Sequence, residues 1–198
     1  MIPEAIQRFI SAFSRLPSMG PRQAGRLAFF LTSLDKATRE ELERALHVLG
    51  TMDRCGECFF VKQQDAAACS ICSDRTRTEA VLAIVEKETD LLTFEKMGAF
   101  RGKYLVLGKL AERGILEPAQ KLRLEHLKQT IRKRDALLEE LIIALNPNSI
   151  GDFTADFIAR EFKDLAKKIT RLGRGIPTGG EIEFADDATL AHAFERRS

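Results

Sequence analysis

The sequence lacks a long apolar segment, a phosphate-binding loop and a strong excess of either charge. No apolar run among its 198 residues approaches the about 20 residues that span a bilayer. No Gly-x4-Gly-Lys-Ser/Thr pattern occurs, which argues against ATP hydrolysis. The net charge is only +2, so the sum of the charges does not by itself point to nucleic acid.

The N-terminus also lacks the features of a secretion signal. The stretch "MIPEAIQRFISAF" contains Pro3 and Glu4 and has no ending typical of a cleavage site. We therefore expect a cytoplasmic protein. Hydrophobic residues make up 44% of the chain, which is enough for a packed core and argues against global disorder.

Basic residues are concentrated in two stretches of the chain. Residues 5–34 contain four arginines and no acid, and residues 160–174 contain six basic residues against two acids. Such runs are as often solvated helix faces as they are binding surfaces. The charge distribution alone therefore leaves both interpretations open.

All four cysteines fall in one short segment, as Cys55-x2-Cys58 and, ten residues later, Cys69-x2-Cys72. Two such knuckles can wrap one tetrahedral zinc, with Gly56 giving the first turn its freedom. Two disulfides or a redox-active pair are the alternatives, but cytosolic disulfides are reduced and a redox pair leaves the other two cysteines unexplained. The spacing predicts a structural zinc with a closed ligand shell, whose binding is coupled to the folding of the module.

The first 50 residues predict helices joined by a tight turn, "LPSMGPRQA". Gly20 permits the bend and Pro21 suits the first turn of the second helix. Arg22 and Arg26 lie one turn apart on this helix, where backbone N–H groups could hold a phosphate. The pattern resembles a helix-hairpin-helix, which binds the DNA backbone without reading sequence, although Ser18 stands where such hairpins usually carry a glycine. An ordinary helical hairpin is the alternative. A third helix is predicted from about residue 38 to residue 50.

After the cysteines the pattern changes to strands that alternate with helices, which predicts a small parallel sheet. The apolar runs "AVLAIVE", "KYLVLG" and "ELIIAL" read as buried strands, and "KITRLGRGIP" contains a fourth. The helices are predicted at "KETDLLTFEKMG" and over about residues 119–134 and 153–168. The fold class is therefore α/β in several parts.

Acids at the ends of two predicted strands could give this sheet a metal-binding or catalytic site. Glu86 ends the first strand, with Asp90 one helical turn further on, and Asp152 follows the third strand. Carboxylates that converge from neighbouring strand ends could hold Mg²⁺ for phosphoryl transfer. The alternative is that Asp90 and Asp152 are simply acids at helix N-termini.

The order of these parts resembles the RecR family of bacterial recombination mediators. The resemblance covers almost the whole chain and rests on five segments: "LPSMGPRQAGRLAF", the cysteine quartet, "VEKETD", "LNPNSIGDFTADFI" and "GIPTGGEIEFADDATLAHAF". It implies that the sheet is a Toprim domain, the fold shared by topoisomerases and primases. It also implies a non-enzymatic clamp, a homodimer or homotetramer ring, that binds single- and double-stranded DNA irrespective of sequence. RecO and RecF are the implied partners, and loading of RecA on single-stranded DNA is the implied task.

The resemblance also implies roles for individual residues. Cys55, Cys58, Cys69 and Cys72 match the zinc ligands, Arg22 and Arg26 match basic positions of the hairpin, and Glu86 and Asp90 match the first acidic Toprim motif. In the third motif Ile150 stands where the family has an acid, which leaves Asp152 and puts a bound magnesium in doubt. The implied domains are a helical region, a zinc finger, a Toprim domain and a C-terminal oligomerisation segment, at residues 1–53, 54–78, 79–174 and 175–198.

Two functions from other classes compete with a DNA-binding mediator. A Toprim nuclease or primase-like enzyme would need the full set of acids and a nucleophile or base beside them. The single tyrosine, Tyr104, begins a strand and reads as a packing residue rather than a nucleophile. The other alternative is a zinc-ribbon adaptor whose α/β domain binds only protein.

Overall fold

The computed structural model describes residues 2–111, 115–134, 136–195 and 197. The chain divides into two compact units, one up to Met52 and one from Asp53 onward. No helix in the described ranges is both long enough and apolar enough to cross a membrane.

The first unit contains three helices, α1 (Glu4–Phe13), α2 (Pro21–Ser33) and α3 (Lys36–Gly50). Apolar residues at helical spacing bring α1 against α2, and Ala24 and Ala28 are the buried small residues of α2. Asp35 caps α3, because its side chain accepts a hydrogen bond from the Thr38 backbone N–H at 3.0 Å. The helical hairpin and the third helix predicted from the sequence are both present.

The turn between α1 and α2 depends on an unusual residue. Ser18 has φ = 60°, the left-handed region that costs a side-chain-bearing residue about 1 kcal/mol or more. Helix-hairpin-helix turns usually have a glycine at this position. The backbone therefore keeps a glycine-like conformation here although the residue is a serine.

The second unit is built on a four-stranded, all-parallel sheet in the order β4-β3-β5-β6. Its strands are β3 (Val81–Val85), β4 (Lys103–Val106), β5 (Leu138–Ala144) and β6 (Ala166–Arg171). A two-stranded hairpin, β1 (Met52–Arg54) and β2 (Val61–Gln63), lies before it in the chain. The helices are α4, α5, α6, α7 and α8, at Ser70–Ser73, Glu88–Met97, Pro118–Arg132, Ser149–Glu161 and Asp187–Glu195, and a short 3-10 helix covers Ile182–Phe184.

Alternate residues of the central strands enter two different cores. Leu82, Ile84 and Leu105 pack against α6 and α7 on one face of the sheet. Ala83 and Val85 pack on the other face, together with Leu91 of α5 and three of the cysteines. Both faces of the strands are thus buried, as expected for parallel strands with near-continuous apolar sequence. The cysteine segment and the α/β sheet, separate domains in the sequence interpretation, share this second core.

Two predicted boundaries differ from the structure. The helix predicted over 153–168 begins earlier, at Ser149, and ends at Glu161, and Ala166 already belongs to β6. Helix α5 ends as expected at Gly98, which has φ = 70° and closes the helix in the left-handed conformation.

Candidate metal centre, acidic edge and nucleic-acid interface

The four cysteines form one compact, reduced cluster. Their sulfur atoms all lie within 4.8 Å of one another, and the Sγ atoms of Cys58 and Cys69 are 3.4 Å apart. A tetrahedral zinc with Zn–S bonds of about 2.3 Å keeps its sulfurs about 3.8 Å apart, so the cluster has the right size. Cys55, Cys58 and Cys69 are buried and Cys72 is partly exposed.

The backbone forms each knuckle by a different device. In the first, the Cys55 N–H donates to the Phe60 carbonyl at 2.8 Å, and the Phe59 N–H donates to the Cys55 carbonyl at 3.0 Å. The left-handed residue of this knuckle is Phe59, with φ = 61°, and not Gly56 as the sequence suggested. In the second, Cys69 begins α4 and its sulfur accepts the Cys72 N–H at 3.5 Å.

The electrostatics of the cluster also fit a cation. Hydrogen bonds from the Cys58 and Cys72 thiols lower the pKa of Cys69, so one thiolate forms readily. The hydrogen bond to Cys69 raises the pKa of Cys58, and hydrogen bonds to Cys58 and Cys69 raise that of Cys72, because these thiols keep their protons as donors; burial and repulsion by the Cys69 thiolate add to the effect. A divalent cation removes that repulsion, and four soft sulfur donors suit zinc. The residues present therefore form a possible metal site consistent with zinc.

Glu86 is a buried carboxylate at the carboxyl edge of the sheet, only 6% exposed. Its Oε2 accepts a hydrogen bond from Asn146 Nδ2 at 2.6 Å, and its Oε1 accepts the Leu110 N–H at 3.2 Å. Lys87 Nζ is 3.9 Å from Oε1. The carboxylate thus links the ends of three strands, because Asn146 follows β5 and Leu110 follows β4.

Asp90 and Asp152 occupy the first turns of α5 and α7. Asp90 Oδ2 accepts the Lys87 N–H at 2.9 Å and so satisfies the start of α5. Asp152 forms a bidentate ion pair with Arg174, whose Nη1 is 3.1 Å from Oδ2. The Arg174 guanidinium, as donor of these bonds, lowers the pKa of Asp152 below its ordinary value. Both acids therefore lie in the first turn of a helix, and each has a partner within the chain.

The acids do not add a second cluster of potential metal ligands. Within the described ranges, the cysteines are the one set of three or more Cys, His, Asp or Glu side chains held at coordinating distance. Ile150, in the first turn of α7, is partly buried. A cavity of about 120 Å³ lies beside this loop, lined among others by Asn146, Asp152 and Arg174.

Arg22 and Arg26 lie on the exposed face of α2, near its start. The N-cap residue Gly20 provides no side-chain hydrogen bond to the first turn, so N–H groups there remain available. No carboxylate of the described residues lies within ion-pairing distance of either guanidinium. This arrangement offers a concentrated positive surface with free donors, which suits a phosphate.

Tyr104 is a core residue, as the sequence suggested. It is 2% exposed and donates its hydroxyl to Glu95 Oε1 at 2.7 Å. Burial and this hydrogen bond raise the pKa of Tyr104 above its ordinary value, which makes the hydroxyl a poor nucleophile.

Sequence reasoning missed the partners of these residues. In the sequence, Arg174 is one of the six basic residues of 160–174, and Asn146 is one residue of the segment "LNPNSIGDFTADFI". The signal for Arg174 was its place just after the last strand, since parallel strands end at the same edge as the acids. Lys103, which contacts the second knuckle, had no comparable signal.

Comparison with known proteins adds three family models that match in chain order. Residues 6–49 match the helix-hairpin-helix of RecR, residues 80–173 match a Toprim domain and residues 175–198 match the C-terminal region of RecR. Among curated relatives, the recombination protein RecR of Paenarthrobacter aurescens is 37% identical over 206 aligned residues, covering 100% of this chain and 98% of the relative.

Two further relatives give the same result. The recombination protein RecR of Herpetosiphon aurantiacus is 36% identical, with 98% of this chain and 94% of the relative covered. That of Rubrobacter xylanophilus is 38% identical, with 98% and 96% covered. Identity at this level over the full length, with the hairpin, the Toprim sheet and the cysteine cluster all present, leaves one assignment. The chain belongs to the RecR family of recombination proteins.

Proposed function

We propose that this chain is a non-enzymatic, DNA-binding mediator of recombinational repair. It acts as a homodimeric or homotetrameric clamp on single- and double-stranded DNA, and it works with RecO and RecF to load RecA on single-stranded DNA. Family membership supports the role in recombination. The exposed arginine pair at the start of α2 is the observation that carries the DNA-binding part.

Arg22 and Arg26 suit a backbone contact because no acid among the described residues forms an ion pair with either charge. Between residues 5 and 34 there is no acid to compete with a phosphate. The uncapped start of α2 adds backbone donors on the same turn. None of these groups reads a base, so binding is independent of sequence.

The test is the salt dependence of DNA binding by the Arg22→Ala, Arg26→Ala double variant. We expect weaker binding and a slope of log K against log [salt] reduced by about 1.4 for single strands and about 1.8 for duplex, since each phosphate contact contributes about 0.7 or 0.9. Fluorescence anisotropy with labelled oligonucleotides measures both quantities.

A matched control removes the same charge elsewhere in the first unit. Arg8 and Arg44 are exposed and lie within ion-pairing distance of Glu4 and Glu40 of their own helices, at 2.6 and 4.0 Å. Their double alanine variant should keep the parental slope. Equal loss of slope in both double variants would show that only the net charge matters, and unchanged binding in the first would refute the interface.

Exposed apolar side chains support self-association. Phe29, Phe30 and Leu49 in the first unit are 54%, 58% and 68% exposed, and Phe184 and Phe194 in the C-terminal segment are 79% and 70% exposed. Side chains of this size are rarely left to solvent in numbers unless they are covered by a partner. Size-exclusion chromatography with light scattering, with and without DNA, should give a dimer or tetramer, and a stable monomer would contradict the clamp.

The acidic edge supports contact rather than catalysis. Each of its three carboxylates already has an internal partner, and Ile150 offers no oxygen to a metal. We propose that Glu86, Asp90 and Asp152 serve partner or DNA contact, with magnesium binding weak. Calorimetric Mg²⁺ titration of the parent and of Ile150→Glu tests this. Binding should be weak in the parent and tighter in the variant, which supplies the missing oxygen ligand. Tight binding in the parent, together with DNA cleavage that Glu86→Gln abolishes, would favour an enzyme.

The cysteine cluster is proposed to hold one structural zinc through Cys55, Cys58, Cys69 and Cys72. With four sulfurs the ligand shell is closed, so the ion stabilises the fold and activates no water. Purified protein should contain about one zinc per chain, measured by atomic absorption. A folded protein without bound metal would contradict the assignment.

The mediator role itself is tested by RecA loading. RecA's ATP hydrolysis on single-stranded DNA coated with its binding protein should begin earlier when this chain and RecO are added together. The Arg22→Ala, Arg26→Ala variant should lose the effect. An undiminished effect would separate loading from this DNA contact.

A further inference from the structure

One lysine of the parallel sheet is bonded to the second cysteine knuckle. The ammonium of Lys103 donates to three backbone carbonyls, those of Ile71, Cys72 and Asp74, at 3.4, 3.0 and 3.2 Å. All three belong to the single turn that carries Cys72 and follows Cys69. An ammonium has three donors, and here every one of them can be used on the same turn.

Lys103 is held in place by the sheet. It is the first residue of β4 and pairs with Leu82 in the parallel ladder. The next residues of the strand, Tyr104 and Leu105, are fully buried. The carbon atom that carries the lysine side chain is therefore fixed by the core, so its contacts restrain the knuckle rather than follow it.

The same strand also contacts the first knuckle. The Val106 N–H donates to the Cys58 carbonyl at 2.8 Å, on the side of β4 that has no neighbouring strand in the sheet. The two knuckles, eleven residues apart in the chain, are thus both bonded to one strand, at positions three residues apart. The backbone bond cannot be removed without disturbing the strand, whereas the lysine bonds can be removed by changing the side chain alone.

We propose that Lys103 is a positioning residue of the metal centre, which fixes the second knuckle so that Cys69 and Cys72 face the first pair and which slows the loss of the ion. The inference rests on the proposed zinc site. Charge adds to geometry, because four thiolates around one Zn²⁺ carry a net charge of about −2 and the ammonium lies against the same turn. A cation beside a thiolate centre stabilises it, as outer contacts of metal ligands generally do.

Metal release from the whole chain tests the proposal. Zinc-loaded parent and Lys103→Met are mixed with the chromophoric chelator 4-(2-pyridylazo)resorcinol, which can approach the partly exposed Cys72 through a cavity of about 320 Å³ lined by Lys103. We expect Lys103→Met to start with the same zinc content as the parent and to release zinc about tenfold faster. Loss of a contact to a metal ligand typically changes metal binding by about 10- to 100-fold, and tenfold is the lower end of that range. With Co²⁺ in place of zinc, the tetrahedral absorption bands should shift because the knuckle is no longer restrained.

The matched control is Lys62→Met. Lys62 also donates its ammonium to backbone carbonyls, those of Gln63 and Gln64 at 3.2 and 3.3 Å, but neither belongs to a knuckle. This variant should release zinc at the parental rate. Equal acceleration in both variants, or a Lys103→Met rate within about twofold of the parent, would overturn the proposal.

A third variant covers the case in which Lys103→Met does not fold. Lys103→Arg keeps the charge and the aliphatic stem, but its planar fork cannot direct donors at all three carbonyls. Its release rate should exceed that of the parent, and a parental rate would overturn the positioning role. If the parent itself contained no zinc, the metal assignment would fail instead, which is a different result.

Discussion

A single added methyl group at Gly151 should damage the loop that carries the acidic edge. A Cβ at this position would lie 2.0 Å from the Asn146 carbonyl oxygen and 3.1 Å from its carbon. Both atoms are backbone, so the loop itself has to move. That movement would disturb two hydrogen bonds, the Gly151 N–H to Asn148 Oδ1 at 2.8 Å and the Asn146 amide to Glu86 at 2.6 Å.

The expected cost follows from these contacts. Overpacking costs about 1–3 kcal/mol, a disturbed cap about 1 kcal/mol, and alanine regains about 1 kcal/mol over glycine within a helix. The net loss for Gly151→Ala is then about 2 kcal/mol of unfolding free energy. Urea unfolding measures it through the fluorescence of Tyr104, the only tyrosine in a chain without tryptophan.

Gly56→Ala is the control for this experiment. A Cβ at Gly56 would meet no atom within 4 Å, and the residue lies in the same unit. Its unfolding free energy should change by less than about 0.5 kcal/mol. A parental urea midpoint for Gly151→Ala would show that the loop moves freely and that the close approach of position 151 to Asn146 does not fix its shape.

Three further outcomes are expected. Ser18→Gly should raise the stability of the first unit by about 0.5–1 kcal/mol, because glycine adopts the left-handed φ without strain. Thermal melts followed by circular dichroism measure the change, and no gain would mean that the serine is unstrained. Arg174→Gln should lower the unfolding free energy by less than about 1 kcal/mol at neutral pH, because the ion pair with Asp152 is partly exposed. This difference from the parent should vanish as the pH falls through the lowered folded-state pKa of Asp152, and a difference that persists in acid would contradict the ion pair. In an alkaline titration followed at 295 nm, the phenolate of Tyr104 should form in the folded protein only well above the ordinary tyrosine pKa of about 10, and in urea near that value. An ordinary pKa in the folded protein would place the hydroxyl in solvent.

The central strands of the sheet could be predicted from their short apolar runs. Strand β3 is all apolar and β5 ends in the apolar run Leu141–Ala144, and a short apolar run between turn signals fits a strand buried on both faces. The edge strand β6 was harder to predict, because it contains two consecutive exposed lysines and only two apolar residues, Ala166 and Ile169. Phe162 and Leu165 continue the helical spacing of α7 and are buried, although they lie in the turn beyond it. Periodicity alone therefore extended the helix into the strand.

The sites were predictable as ligand types but not as contacts. Cysteine spacing is local, so the sequence itself brings the four sulfurs into one segment. Lys103 is 31 residues from Cys72 in the chain, and Arg174 is 22 residues from Asp152. The first pair meets because the cysteine segment packs against the sheet, and the second because β5 and β6 are parallel and end at the same edge. Tertiary partners of this kind leave no periodic trace in a single sequence.

The loop from Asn146 to Asp152 shows why an acid can be absent here without loss of the fold. Its shape depends on the Asn146 amide against Glu86, on the Asn148 side chain at the start of α7, and on the close backbone approach at Gly151. None of these contacts uses the side chain of residue 150. An isoleucine there removes a potential oxygen ligand but no hydrogen bond that holds the loop. The architecture of the edge is thus separable from its capacity to bind a metal, and that separation allows the same scaffold to be retained for contact with DNA or protein.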